Sequence, residues 1–160
     1  MSMDLKTILS PKLTFCNLQG ISKKRLLEVS ADLIAENVEN VDANQIYNAL
    51  IAREQLGSTG LGNGIAIPHC RVPKCENTIG CLVKLEQGID FDAIDGKPVD
   101  LLFYLLVPEN TIEGHLEVLR NLADRFNNPE YCANLRGCSS NTSLFEAATA
   151  NLPGKDEEDS

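Results

Sequence analysis

Seven consecutive apolar residues, Leu101-Leu102-Phe103-Tyr104-Leu105-Leu106-Val107, run directly into Pro108. A half-exposed strand alternates apolar and polar side chains; an unbroken run of this length predicts a central strand covered on both faces. Such a strand needs a packing layer on each side of its sheet.

The rest of the chain supplies helices for those layers. Ser22 is placed to cap a helix whose apolar stripe is Leu26, Leu27, Leu33 and Ile34, with Ser22-Lys23-Lys24-Arg25 as its solvated start. A second helix is predicted from Asp42, where Gln45 makes a capping-box pattern, to just before Gly57, with Ile46, Ala49, Leu50 and Arg53 along one stripe. A third, over about 113–126, carries His115, Leu119, Leu122 and Phe126 on one side. Pro129 after Asn128 opens a short fourth helix, and Ser143 with Glu146 marks the start of a last one. Between them, Ile65-Ala66-Ile67 reads as a short strand ended by Pro68, and residues 78–85 alternate as a half-buried strand. Gln87-Gly88 and Asp95-Gly96 read as turns. The expectation is one α/β layered domain, followed at 153–160 by an acidic tail expected to be disordered.

At 160 residues the chain can bury a substantial core, and its 43% hydrophobic and 23% charged residues suit an ordinary globular protein. A net charge of −9 argues against binding a phosphate backbone or an anionic membrane, both of which require clustered Lys and Arg. No apolar window reaches membrane-span length and the start lacks a signal-peptide order, so a cytoplasmic protein with protein or small-molecule partners is expected. The six cysteines then read as reduced thiols, with Cys81 facing the core beside Val83 and Leu85. Cys70 and Cys75 after His69 lack a zinc-ligand spacing, so neither metal nor cofactor is expected.

Four glycines crowd residues 57–64, read as a flexible loop. Neither nucleotide fingerprint fits: Ile65 stands where the dinucleotide pattern needs glycine, and Asn63-Gly64 where the P-loop needs Lys-Ser/Thr. Of the two histidines, His69 follows Pro68, whose fixed φ and effect on Ile67 present the imidazole at a stiff strand end. A neutral imidazole there can act as a nucleophile, its other nitrogen locked by a backbone carbonyl. His115 reads either as a core histidine or as a residue that a helix N-terminus places near an anion. Arg53 continues an inward stripe, so its partner is an anion, either structural or a phosphoryl group; the neighbouring Glu54 lies on another face. Residue chemistry by itself leaves these alternatives open.

Three segments together carry a resemblance: the run Arg53-Glu54-Gln55-Leu56-Gly57-Ser58-Thr59-Gly60-Leu61-Gly62-Asn63-Gly64-Ile65-Ala66-Ile67-Pro68-His69, the stretch Phe91-Asp92-Ala93-Ile94-Asp95-Gly96-Lys97-Pro98-Val99-Asp100, and the apolar strand into Pro108 followed by His115. Over about residues 5–148 the chain resembles the enzyme IIA domains (EIIA type 2) of the fructose/mannitol and nitrogen-regulatory branch of the phosphoenolpyruvate-dependent phosphotransferase system. The resemblance implies a mixed sheet of about five strands flanked by helices on both faces. It implies that His69 accepts a phosphoryl group on Nε2 from an HPr-like phosphohistidine protein, that His115 steadies the group, and that Arg53 stands near the site. It further implies a phosphoryl cradle built from Ser58, Thr59, Gly60, Gly62 and Asn63. Cys70 departs from the glycine common after the family's active histidine, which puts a left-handed backbone there in question. The wording of 91–100 is closer to the nitrogen-regulatory branch, whose phosphorylation state controls target proteins such as kinases or transporters. A sugar-specific EIIA that passes phosphate to a IIB component is the alternative, and a zinc-binding module a more remote one.

Overall fold

A computed structural model describes residues 4–110 and 114–150, with the His115 side chain outside the described set. The elements are β1 Thr14–Leu18, α1 Lys23–Asn37, α2 Ala43–Gln55, β2 Gly60–Gly62, β3 Ile65–Ala66, β4 His69–Val72, β5 Ile79–Ile89, β6 Val99–Pro108, α3 Gly114–Phe126, α4 Pro129–Arg136 and α5 Asn141–Thr149. The acidic tail at 153–160 lies outside the described residues.

The unbroken apolar run becomes β6, at the centre of a six-stranded sheet ordered β1-β5-β6-β3-β2, with β4 also paired to β6. β6 runs antiparallel to β5 and parallel to β3 and β4, which pair with it one after the other: Ile65 with Leu101, then His69 with Leu105. Successive β6 side chains point to opposite faces and so feed two cores. Leu102, Tyr104 and Leu106 join Leu26, Leu27, Ile34, Ile46 and Leu50 of α1 and α2 on one face. Leu101, Phe103, Leu105 and Val107 meet Leu122, Phe126, Tyr131, Leu135 and Leu144 of α3, α4 and α5 on the other. Ile46 and Leu50 are fully buried, and each such burial contributes about 2 kcal/mol. This is the α/β layering the sequence predicts.

Local chemistry fixes the helix starts. The Ser22 hydroxyl accepts from Arg25 N at 3.2 Å, the Asp42 carboxylate from Gln45 N at 3.0 Å, and the Asn128 side chain from Glu130 N and Tyr131 N. The last helix is capped by Ser140 and not by Ser143: Ser143 occupies the third helical position, and the two residues exchange side-chain and backbone hydrogen bonds as a capping box.

Three further expectations are corrected. Residues 78–85 were expected to be half-buried, but β5 lies between β1 and β6 with both faces covered, so Leu82 enters one core while Cys81, Val83 and Leu85 enter the other. Gln87-Gly88 does not turn the chain: β5 continues through both to Ile89, which pairs with Val99, and a Cβ on Gly88 would stand 2.8 Å from the Pro98 ring. Here the glycine permits close approach of the returning chain, and the turn falls later, where Gly96 N bonds Ala93 O at 2.9 Å. The glycine-rich segment is no flexible loop either. β2 and β3 form an antiparallel hairpin turning through Asn63 (φ 58°) and Gly64 (φ 83°), the left-handed pair that a two-residue hairpin requires.

Candidate functional site

His69 opens β4, directly after the buried pair Ile67 and Pro68. Its Nδ1 lies 2.9 Å from the Ile67 carbonyl oxygen. A carbonyl only accepts, so Nδ1 carries the proton and Nε2 the lone pair. Arg53 agrees with that assignment, because its Nε–H donates to His69 Nε2 at 3.1 Å. The same guanidinium donates from Nη1 to Gly57 O at 2.9 Å, which ties it to the end of its own helix. The fixed φ of Pro68 and the bond from Leu105 N to Pro68 O at 2.8 Å hold the backbone on which the ring stands. The result is a half-buried imidazole of defined tautomer whose nucleophilic nitrogen faces a guanidinium.

A cleft of about 450 Å³ opens beside this pair between α2 and β4, with Ala49, Ala52, Leu56 and Val107 among its apolar walls. Leu56 is 83% exposed. Arg71 also lines this cleft, a residue not singled out from the sequence. The signal was present: two residues along a strand bring a side chain to the same face, so once His69 begins a strand Arg71 must lie on its side of the sheet. Arg71 Nη1 reaches the Glu109 carbonyl oxygen at 3.4 Å. Two guanidiniums and an imidazole on one cleft of an acidic protein suit an anionic group.

The structure distributes the remaining candidates differently. Ser58 donates its hydroxyl proton to Phe91 O at 2.8 Å and accepts from Gly60 N at 3.0 Å. Thr59 donates its hydroxyl proton to Glu54, and its N–H also reaches that carboxylate, at 3.2 Å. Asn63 N donates to Asp95 Oδ2 at 2.9 Å; with a second bond from Lys97 N, this holds the Asp95 carboxyl below its ordinary range. Gly62 and Asn63 belong to the hairpin, and none of Ser58, Thr59, Gly60, Gly62 and Asn63 lines the cleft beside His69. The Ser58 and Thr59 hydroxyls and the N–H groups of Thr59, Gly60 and Asn63 are engaged in holding the loop. His115 sits in the first turn of α3, and its side chain lies outside the described residues.

Of two neighbours, Lys23 differs from expectation and Cys70 agrees with it. Lys23 is not part of a solvated helix start: its ammonium lies 2.9 Å from Glu54 Oε1 and 4.6 Å from the centre of the Phe91 ring, with only 19% of the side chain exposed. Cys70 has ordinary strand backbone, paired with Leu106, and its side chain enters the core under α1 and α2. Burial, reinforced by Cys75, pushes its thiol up to about 12, so it is a poor nucleophile beside the imidazole.

A family model for the phosphoenolpyruvate-dependent sugar phosphotransferase system, EIIA 2, matches residues 7–150. The chain belongs to this family. Among relatives of this EIIA chain, a nitrogen regulatory protein of Pseudomonas aeruginosa is 47% identical over 142 residues, covering 89% of this chain and 92% of that one. A nitrogen regulatory protein of Escherichia coli is 38% identical over 149 residues, covering 92% and 91%. The crystal structure of the nitrogen regulatory protein IIA-Ntr from Neisseria meningitidis superposes with a TM-score of 0.83 at 38% identity, over 90% of this chain and 98% of that one. EIIA membership implies a phosphotransfer carrier, and no helix among the described residues is long and apolar enough to cross a membrane.

Proposed function

We propose that this EIIA chain takes a phosphoryl group from an HPr-like phosphohistidine protein onto Nε2 of His69 and regulates target proteins, such as kinases or transporters, through its phosphorylation state. The observation that carries the reading is the pair of hydrogen bonds on the His69 ring, which leaves Nδ1 protonated and gives Nε2 the lone pair. In the transfer, that lone pair forms the new N–P bond while the donor's N–P bond breaks and returns its electron pair to the donor imidazole. Arg53 yields Nε2 to the incoming phosphorus and turns its N–H groups to the phosphoryl oxygens. Alignment and charge stabilisation are most of what such a reaction asks of a protein. His115 is proposed to steady the phosphoryl group from the start of α3. The described donors of Ser58, Thr59, Gly60 and Asn63 support a role in holding the loop, so the cradle is assigned to Arg53 and Arg71.

The nitrogen-regulatory role is supported by relatives bearing that name across about nine-tenths of both chains. A cytoplasmic location belongs to the same reading. Phosphorylation adds about two negative charges to a protein already at −9, changing which surfaces the cleft can accept. Incubation with phosphoenolpyruvate and the upstream donors should give acid-labile phosphate on the wild type and none on His69→Ala. Undiminished labelling of His69→Ala would sink the assignment, and rapid onward transfer to a fructose- or mannitol-type IIB would favour sugar uptake over regulation.

A further inference from the structure

Glu54 stands next to Arg53 in sequence but points elsewhere. Its side chain is 5% exposed. Three donors converge on its two oxygens: the Lys23 ammonium at 2.9 Å, Thr59 N at 3.2 Å and the Thr59 hydroxyl. Thr59, itself only 5% exposed, passes the constraint on, because its carbonyl oxygen accepts from Ile67 N at 3.1 Å. Ile67 is the residue whose own carbonyl oxygen accepts the hydrogen bond from Nδ1–H of His69 at 2.9 Å. A continuous series of hydrogen bonds therefore runs from a buried ion pair at the start of α1, through Glu54, Thr59 and Ile67, to the far nitrogen of the imidazole.

We infer that Glu54 is a positioning residue for phosphoryl transfer, fixing through Thr59 and Ile67 the carbonyl that holds the His69 ring in its Nδ1–H tautomer. The inference rests on the reading of His69 as the acceptor.

A carboxylate is the group the site requires. Its two oxygens have accepting capacity for all three donors, whereas an amide has one accepting oxygen and must turn its NH₂ toward a donor. Asp92 cannot stand in: it is 3.5 Å from Lys23 with 75% of its side chain exposed, so solvent weakens that contact. Glu54→Gln keeps the size of the side chain but removes the charge paired with the Lys23 ammonium and turns an NH₂ to the Thr59 hydroxyl, which must then accept where it donated; both changes loosen the 54–59 closure and with it the Ile67 carbonyl. Rate is sensitive to such shifts, because a reacting group misplaced by about 1 Å loses up to about 100-fold.

The test uses the full chain with Glu54→Gln, Thr59→Val and both changes together. Three quantities are measured: the His69 ring tautomer from ¹⁵N chemical shifts, unfolding in urea, and acceptance of phosphate from a phosphorylated HPr-like protein at saturating and limiting donor. Glu54→Gln should remain folded, lose the single Nδ1–H tautomer and accept phosphate about 10-fold more slowly at saturating donor, with donor affinity unchanged. Thr59→Val should show a smaller loss of the same kind, and the double variant should be no worse than Glu54→Gln, as members of one series require. A folded Glu54→Gln with wild-type tautomer and rate overturns the inference, as does a variant that loses stability alone. If Glu54→Gln does not fold, Thr59→Val decides by the same two readouts. Labelling that persists in His69→Ala would remove the functional reading, while the tautomer measurement would still report whether Glu54 orients the ring.

Discussion

Arg53 meets two acceptors at once, His69 Nε2 through Nε and Gly57 O through Nη1. Lysine has one nitrogen at the end of a flexible stem and cannot reproduce that fork. Arg53→Lys should therefore lower phosphoryl acceptance at least about 10-fold, while the thermal midpoint falls by no more than about 4 °C, the shift about 1 kcal/mol brings in a domain of this size. Rapid-quench phosphorylation beside a calorimetric scan checks both; a large fall in midpoint would make Arg53 mainly structural. The inward stripe of α2 made Arg53 a candidate from sequence, because helical spacing alone puts it in line with Ile46 and Leu50. Its target could not be read the same way. Glu54 is the adjacent anion, yet it faces Lys23 and Thr59, and that choice depends on where α1 lands.

At the scale of elements, the β2–β3 hairpin sets where the chain enters β4. Gly64 has φ 83°, and a Cβ there would meet Arg136 Nη2 at 2.5 Å and Asp100 Oδ1 at 2.8 Å. Arg136 holds the turn by donating to Asn63 O at 2.8 Å while paired with Asp100. Gly64→Ala should cost about 1–3 kcal/mol, from the left-handed backbone and the displaced guanidinium together. A lower urea midpoint at unchanged slope is the expected sign, and an unchanged midpoint would show that the turn relaxes freely. Asn-Gly is a hairpin signal, but four glycines in eight residues hide it in a stretch that reads as loop. Gln87-Gly88 misleads in the opposite sense, since the glycine there makes room for Pro98 and β5 runs on to Ile89, through a register shift after Lys84.

For the molecule as a whole, two covered sheet faces bury groups that ordinarily titrate in the alkaline range. Burial raises Cys70 to about 12 from an ordinary value near 9, and raises Cys81, Tyr104 and Tyr131 as well; the hydroxyls of Ser30 and Tyr104 meet 2.7 Å apart within the core. The folded state then keeps protons that the unfolded chain releases above about pH 9. Stability from these groups is fully present below the unfolded values and is lost as pH rises toward the folded ones, so the urea midpoint should hold up to about pH 8 and fall steadily above about pH 9. A flat midpoint to pH 11 would contradict this. The sequence by itself determined the layering, the first two helix caps and the stiff presentation of His69, because an apolar run, a capping residue and a proline act on their near neighbours. Only the tertiary structure decided the tautomer of His69 and the partners of Lys23 and Glu54. Each of those depends on segments far apart in the chain being packed on one sheet, and hydrogen-bond geometry exists only after that packing has formed.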